Sequence, residues 1–166
     1  MTQKLTTARC PDYQHFKLLD TGTIQVDSIG PRMKAKMKAI PIPRLVDKIV
    51  LDVGCDFGFW SILASNLGAK RVLGLDRGRP IGGEYVDVVK LNREFVRDYK
   101  ELNNVYFEPI NIGKQWKEFT PFPNGFDVIF LFSLYHHIFE NCGDHRMIWF
   151  WLWRQLDSDG ELLWEN

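Results

Sequence analysis

The chain is organised around Val50-Leu51-Asp52-Val53-Gly54-Cys55-Asp56-Phe57-Gly58-Phe59-Trp60. An apolar, β-branched run, Ile49–Val53, opens it and is typical of a strand buried in a parallel sheet. Two glycines, Gly54 and Gly58, follow the run, and apolar residues then recur at helical spacing over residues 60–67. A strand, a glycine-bearing turn and a helix start form a crevice that suits a nucleotide-like ligand. The stretch therefore predicts a strand–turn–helix unit with a ligand site at the turn.

The glycine spacing indicates which ligand this is. The dinucleotide fingerprint G-x-G-x-x-G is absent, and no lysine follows Gly58 as a phosphate loop requires. The stretch resembles the first motif of class I S-adenosylmethionine-dependent methyltransferases, D/E-x-G-x-G-x-G. Asp52, Gly54 and Gly58 match it, and Asp56 stands in place of the middle glycine. The resemblance implies that these four residues and Cys55 surround S-adenosylmethionine.

A second acid supports the resemblance. Asp76 follows the next predicted strand, residues 71–75, and a carboxylate offers two acceptor oxygens for the two ribose hydroxyls of an adenosyl group. Family members carry an acid at this place for that purpose, and the resemblance extends the contact to Arg77. The alternative is a plain strand–helix–strand crossover whose glycines serve packing only.

Asn111 follows the third predicted strand, residues 104–110. The family often has an aspartate there that accepts a hydrogen bond from the adenine amine, with a backbone N–H from the next residue. The Asn111 side-chain carbonyl can accept the same bond, and Ile112 would supply the N–H. A loop asparagine is equally typical of a plain turn.

The acceptor side of the site is predicted after the fourth strand, Phe126–Phe132. The resemblance places Ser133 among the residues that bind the cofactor and the methyl acceptor beside it, with Tyr135 and His136 as the catalytic candidates. A proton-accepting side chain helps only if the acceptor must lose a proton. The alternative is a polar helix start that lines a cleft without chemistry. Adjacent histidines at 136 and 137 point to different sides of an element, so we expect no metal site.

The remaining elements predict an α/β fold with a doubly wound, mostly parallel sheet. Helices are predicted over Pro31–Ala39, 84–102 and 144–156, a hairpin turn over 20–23, a loop over 76–83 and a fifth strand over 160–164. The resemblance, which covers 45–166, implies the strand order 3-2-1-4-5 with the cofactor at the carboxyl ends. Residues 1–44 are expected to form a basic segment that covers the cleft.

The predicted sheet has an open edge. Family members usually add two strands after the fifth, and this sequence contains no residues for them. The nearby Trp149, Trp151 and Trp153 cannot share one helical face, so some of them should be exposed. Because an uncovered edge strand invites pairing, we expect self-association or a partner at this edge, or a longer parent protein.

Composition bounds the class of protein. The 166 residues are 45% apolar and 25% charged, which fits one globular domain. No run approaches the length of a membrane span, and no signal-peptide core is present. Three cysteines, widely spaced, favour a reducing, cytoplasmic setting. Nine Lys/Arg against four Asp/Glu precede residue 49, a balance that suits an anionic partner.

These features predict an S-adenosylmethionine-dependent methyltransferase that acts on a small-molecule or RNA acceptor by in-line displacement. Two alternatives stay open. One is a catalytically silent, methyltransferase-like subunit that binds a partner. The other is a nicotinamide or nucleotide-sugar enzyme on a related sheet, against which the absent G-x-G-x-x-G fingerprint counts.

Overall fold

A computed structural model describes residues 14, 16–81, 84–115, 125–132 and 144–165. Five strands of this part of the chain form one sheet, and two short strands form a separate hairpin. In chain order the seven are β1 Ile49–Val53, β2 Arg71–Asp76, β3 Arg79–Ile81, β4 Glu84–Val86, β5 Val105–Pro109, β6 Phe126–Phe132 and β7 Leu156–Glu165. The sheet order is β5-β2-β1-β6-β7, and all four neighbouring pairs are parallel. Counted without the hairpin, this is the predicted order 3-2-1-4-5, which is confirmed.

Helices lie on both faces of this sheet. They are α1 Pro31–Ala39, α2 Phe59–Asn66, α3 Val88–Arg97, α4 Ile112–Gln115 and α5 His145–Gln155, with 3-10 turns at Val26–Ser28 and Lys100–Leu102. Alternate residues of β1 feed two separate cores: Val50 packs with α1, α2 and α3, whereas Leu51 and Val53 pack with α4 and α5. The doubly wound arrangement is therefore confirmed.

The N-terminal region belongs to the first of these cores. Its hairpin turn is confirmed, because Gly22 N donates to Leu19 O at 2.9 Å and Leu18 bridges Ile24 in antiparallel fashion. The helix predicted over Pro31–Ala39 is confirmed too. Its Met33 is 1% exposed and packs in the same core as β1. That residues 1–44 cover a cleft stays a prediction.

The prediction of one helix over 84–102, preceded by a loop over 76–83, is wrong at its beginning. β4 pairs with β3 as an antiparallel hairpin, with a Gly-Gly dipeptide between them in the sequence. α3 begins only after Asp87, whose carboxylate accepts a hydrogen bond from Lys90 N at 2.9 Å. This N-cap lies between the hairpin and α3 and marks the start of the helix. The apolar spacing of the sequence continues across this N-cap, so it did not show where α3 begins.

Further boundaries differ from prediction: α3 ends at Arg97 rather than at residue 102, and the third main-sheet strand is Val105–Pro109 rather than 104–110. α2 ends one residue earlier than predicted, and its C-cap Leu67 is 44% exposed. The last strand begins at Leu156 rather than at 160, directly after α5. Pairing with β6 shifts register between Phe126 and Val128, and a Cβ at Gly160 would lie 2.8 Å from Phe126 O. This close approach, which only glycine allows, lets a polar stretch join the strand.

Candidate functional site

The turn after β1 has a left-handed backbone at three of its residues. Gly54, Asp56 and Gly58 have φ angles of 76°, 47° and 77°. Glycine adopts such angles freely, whereas aspartate tolerates them at a cost of roughly 1 kcal/mol. Gly54 N and Cys55 N both donate to Leu75 O, at 2.7 and 3.0 Å, so the turn lies against the end of β2. We call residues 54–58 the cofactor loop, after the role that the sequence predicts for them.

Asp76 ends β2 beside this loop. Its Oδ2 accepts a hydrogen bond from Asp56 N at 3.0 Å, and its Oδ1 accepts one from Gly78 N at 2.8 Å. Each carboxylate oxygen has a second lone pair, so both can still accept a hydroxyl hydrogen bond. The carboxylate is therefore held in one orientation while its acceptor capacity for a ribose remains.

Asp52 lies deeper than the loop. It is 2% exposed, and Ser61 Oγ of α2 donates to its Oδ2 at 2.6 Å. Burial, together with the charges of Asp76 and Asp56, raises the pKa of the Asp52 carboxyl from its ordinary 3.8 to about 7, although the hydrogen bond from Ser61 acts in the opposite direction. Three carboxylates thus repel one another at this end of the sheet, which electrostatically favours a cationic ligand.

Two buried amides that the sequence did not single out support the cofactor loop. Asn92 of α3 donates from Nδ2 to Asp56 O at 2.7 Å. Gln14 donates from Nε2 to Cys55 O at 3.3 Å, and its Oε1 accepts from Phe59 N at 3.1 Å. Both amides are 2% exposed. The available signal was an asparagine inside the apolar stripe of an amphipathic helix, since a polar residue there needs a partner.

The glycines of the site serve packing as well as conformation. A Cβ at Gly58 would lie 2.9 Å from Phe107 Cζ, and one at Gly74 would lie 2.6 Å from Phe107 Cδ1. Phe107 of β5 thus fills the space beneath the loop. Gly58 is therefore required for two reasons: its backbone is left-handed, and Phe107 occupies the space that a Cβ would need.

Asn111 lies between β5 and α4, directly before the first residue of α4. Its carbonyl accepts from Lys114 N and Gln115 N, and its N–H donates to Gln115 Oε1 at 3.0 Å. Ile110 N donates to Asp76 O at 2.9 Å, which brings this turn to the same sheet edge as Asp76. Ile112 is 6% exposed and packs in the second core. The turn-forming role is present, and the adenine contact stays a prediction.

The other predicted residues are placed less directly. Arg77 has an exposed side chain, and its carbonyl accepts a hydrogen bond from the Tyr85 hydroxyl. Burial, followed by the neighbouring carboxylates, raises the pKa of the Cys55 thiol well above its usual range, so this thiol stays protonated. Ser133, Tyr135 and His136 lie outside the described residues. β6 ends at Phe132, at the same edge of the sheet as the cofactor loop.

Solved structures with a similar fold include several S-adenosylmethionine-dependent methyltransferases. One from Listeria monocytogenes is 23% identical with a TM-score of 0.57, over 78% of this chain and 52% of that one. One from Mesorhizobium loti is 19% identical with a TM-score of 0.57, over 81% and 51%. Coclaurine N-methyltransferase, bound to N-methylheliamine and S-adenosylhomocysteine, is 16% identical with a TM-score of 0.55, over 80% and 34%.

These likenesses define the class of fold. The chain has the Rossmann-like fold of class I S-adenosylmethionine-dependent methyltransferases. It spans about half the length of the two bacterial structures. No model of a known protein family matches the chain. Within the described ranges, no helix has the length and apolar character needed to cross a bilayer.

Proposed function

We propose that this chain binds S-adenosylmethionine at the cofactor loop and transfers its methyl group to a small-molecule or RNA acceptor. The observation that carries the proposal is the Asp76 carboxylate, held at the end of β2 by Asp56 N and Gly78 N with acceptor capacity to spare. The shared fold supports the same class of activity.

The charges at the loop suit this cofactor. S-adenosylmethionine carries an ammonium and a sulfonium, and Asp52, Asp56 and Asp76 are close enough for the latter two to raise the pKa of the first. A cation at the loop would relieve that repulsion and draw the pKa of Asp52 down again. NAD, with its negatively charged diphosphate, would meet the same carboxylates unfavourably.

The chain's part in the reaction is binding and alignment. The cofactor supplies an activated methyl group, and in-line displacement gains most from correct placement of the two reactants. In the proposal Asp76 holds the ribose, the loop holds the methionyl end, and Asn111 with Ile112 N–H holds the adenine. Tyr135 or His136 would take a proton from an acceptor that has to lose one.

Calorimetry with S-adenosylhomocysteine tests the binding step. Asp76→Ala should cost roughly 2–4 kcal/mol of binding free energy, because two charge-assisted hydrogen bonds disappear. Glu161→Ala, which removes an exposed carboxylate of β7, is the matched control and should bind like wild type. Unchanged affinity in Asp76→Ala, or equal affinity of the wild type for NAD, would contradict the proposal.

A second candidate function is favoured by the aromatic residues of α5 and β7. Phe150, Trp153 and Trp164 are 47%, 69% and 54% exposed, and β7 pairs only with β6 in the described sheet. Such a surface suits a protein partner or a second copy of the chain. Incubation with labelled cofactor and acceptor pools separates the two: tight cofactor binding without any labelled product would favour a silent, partner-binding subunit.

A further inference from the structure

We infer that Asn92 is a positioning residue of the cofactor loop, which holds Asp56 in the conformation that orients the Asp76 carboxylate. The inference rests on the proposed function for its effect on cofactor affinity. Asn92 lies on α3, 36 residues from Asp56 in sequence, and its effect would pass through the loop backbone rather than through contact with the cofactor.

Asn92 contacts the backbone of Asp56 directly. Asn92 Nδ2 donates to Asp56 O at 2.7 Å, and Asn92 is 2% exposed. A buried hydrogen bond of this length fixes the peptide plane that follows Asp56. Since the φ of Asp56 is 47°, a region that non-glycine residues avoid, this bond offsets a conformational preference that would otherwise move the loop.

The backbone of Asp56 in turn contacts the Asp76 carboxylate. The peptide plane that precedes Asp56 carries the N–H that donates to Asp76 Oδ2 at 3.0 Å. The two planes meet at Asp56, so holding one in place limits the other. If the amide of Asn92 were lost, Asp56 could leave the left-handed region, and Asp76 would lose one of the two N–H groups that orient it.

A general packing role for Asn92 has to be distinguished from this one. A Cβ at Gly58 would lie 3.4 Å from Asn92 Nδ2, so the amide is also in close contact with the loop. A packing role alone predicts lower stability with no particular effect on the loop. Ile148→Ala, a cavity variant in the other core at a side chain 3% exposed, supplies that comparison.

The experiment measures S-adenosylhomocysteine affinity in Asn92→Leu, which keeps most of the side-chain volume and removes the donor. We expect about tenfold weaker binding, and unchanged binding in Ile148→Ala, even where both variants unfold at similarly lowered temperatures. Adding Asp56→Gly to Asn92→Leu should restore part of the affinity, because glycine adopts positive φ without the penalty. If Asn92→Leu fails to fold, Asn92→Ala takes its place.

Amide hydrogen exchange gives a readout that needs no cofactor. Exchange at Asp56 N–H should be faster in Asn92→Leu than in wild type and in Ile148→Ala. Equal exchange at Asp56, or equal cofactor affinity in all three proteins, would overturn the inference. Wild-type protein that binds no S-adenosylhomocysteine would defeat the proposed function instead, and the exchange measurement would still decide the role of Asn92.

Discussion

The cofactor loop and the β7 edge lie in the same sheet but differ in how their surroundings are completed. At the loop, backbone groups of residues 55, 56 and 59 are bound by side chains from three separate parts of the chain: Gln14, Asp76 and Asn92. At the edge, β7 pairs with β6 on one side only within the described sheet. The loop is thus held in one conformation, whereas the edge presents a surface that another chain could cover.

Aromatic residues show the same contrast. Behind the loop, Phe59, Trp60 and Phe132 pack edge to face with centroids 5.2 and 4.7 Å apart, and all three are buried. At the edge, Trp149 packs on Trp164 with centroids 5.7 Å apart, but Trp164 stays 54% exposed. The residue type is similar in both regions, so position in the sheet, and not hydrophobicity, decides what each ring does.

The largest expected effect concerns packing under the loop. Gly74→Ala places a Cβ 2.6 Å from Phe107 Cδ1, so the ring or a strand has to move. We expect a loss of about 3 kcal/mol in the free energy of unfolding, measured by urea denaturation. Gly74→Ala combined with Phe107→Leu should regain part of it. A fully stable Gly74→Ala would mean that the loop region is as adaptable as the edge.

The next effect concerns the buried carboxylate. The pKa of Asp52 is raised from 3.8 to about 7, so folded protein binds a proton that unfolded protein releases between these values. The stability that the folded protein gains from protonated Asp52 is therefore complete below pH 3.8 and is lost as pH rises through about 7. Asp52→Asn lacks this loss, and its carbonyl can still accept from Ser61 Oγ.

Stability of Asp52→Asn relative to wild type should thus increase by roughly 2–3 kcal/mol between pH 5 and pH 8. Urea denaturation without cofactor at both pH values measures it. A pH-independent difference between Asp52→Asn and wild type would contradict the raised pKa of Asp52.

Self-association through the β7 edge is expected to be smaller in energy. Trp153→Ser with Trp164→Ser removes the two most exposed aromatic rings of α5 and β7 and should weaken dimer formation by about 1–2 kcal/mol, or roughly tenfold. Light scattering over a concentration series measures it. Val26→Ser, at a residue 67% exposed in the N-terminal region, should associate like wild type. A wild-type monomer at high concentration would contradict the expectation.

The smallest effect concerns the ion pair that ties α1 to the end of β7. Lys36 Nζ lies 2.6 Å from Glu165 Oε2, with side chains 9% and 32% exposed. Lys36→Met keeps the apolar stem and lets Glu165 turn to water, so we expect a loss of about 1 kcal/mol in stability. Thermal unfolding measures this loss of stability, and Lys34→Met, on the exposed side of α1, is the control variant. Equal melting temperatures of Lys36→Met and Lys34→Met would show that this ion pair does not stabilise the protein.

Much of the fold could be predicted from the sequence, because buried parallel strands are continuous apolar runs. Phe126–Phe132 and Ile49–Val53 occur with the predicted bounds. The β3–β4 hairpin could not be read from periodicity, since Tyr85 is apolar yet 68% exposed there. The start of α3 depended on the Asp87 cap, a local hydrogen bond that apolar spacing does not report.

The candidate site divides in the same way. The sequence by itself determined the glycine turn, the acid after the second strand and their common edge, because strand ends of a parallel sheet meet there. Tertiary structure alone decided that Gln14 and Asn92 bind the loop, that Asp52 lies behind it against Ser61, and that Phe107 requires the glycines. The hydrogen bonds among these contacts join residues 9 to 45 positions apart. They depend on how helices pack on the sheet, and no local pattern of residues specifies that.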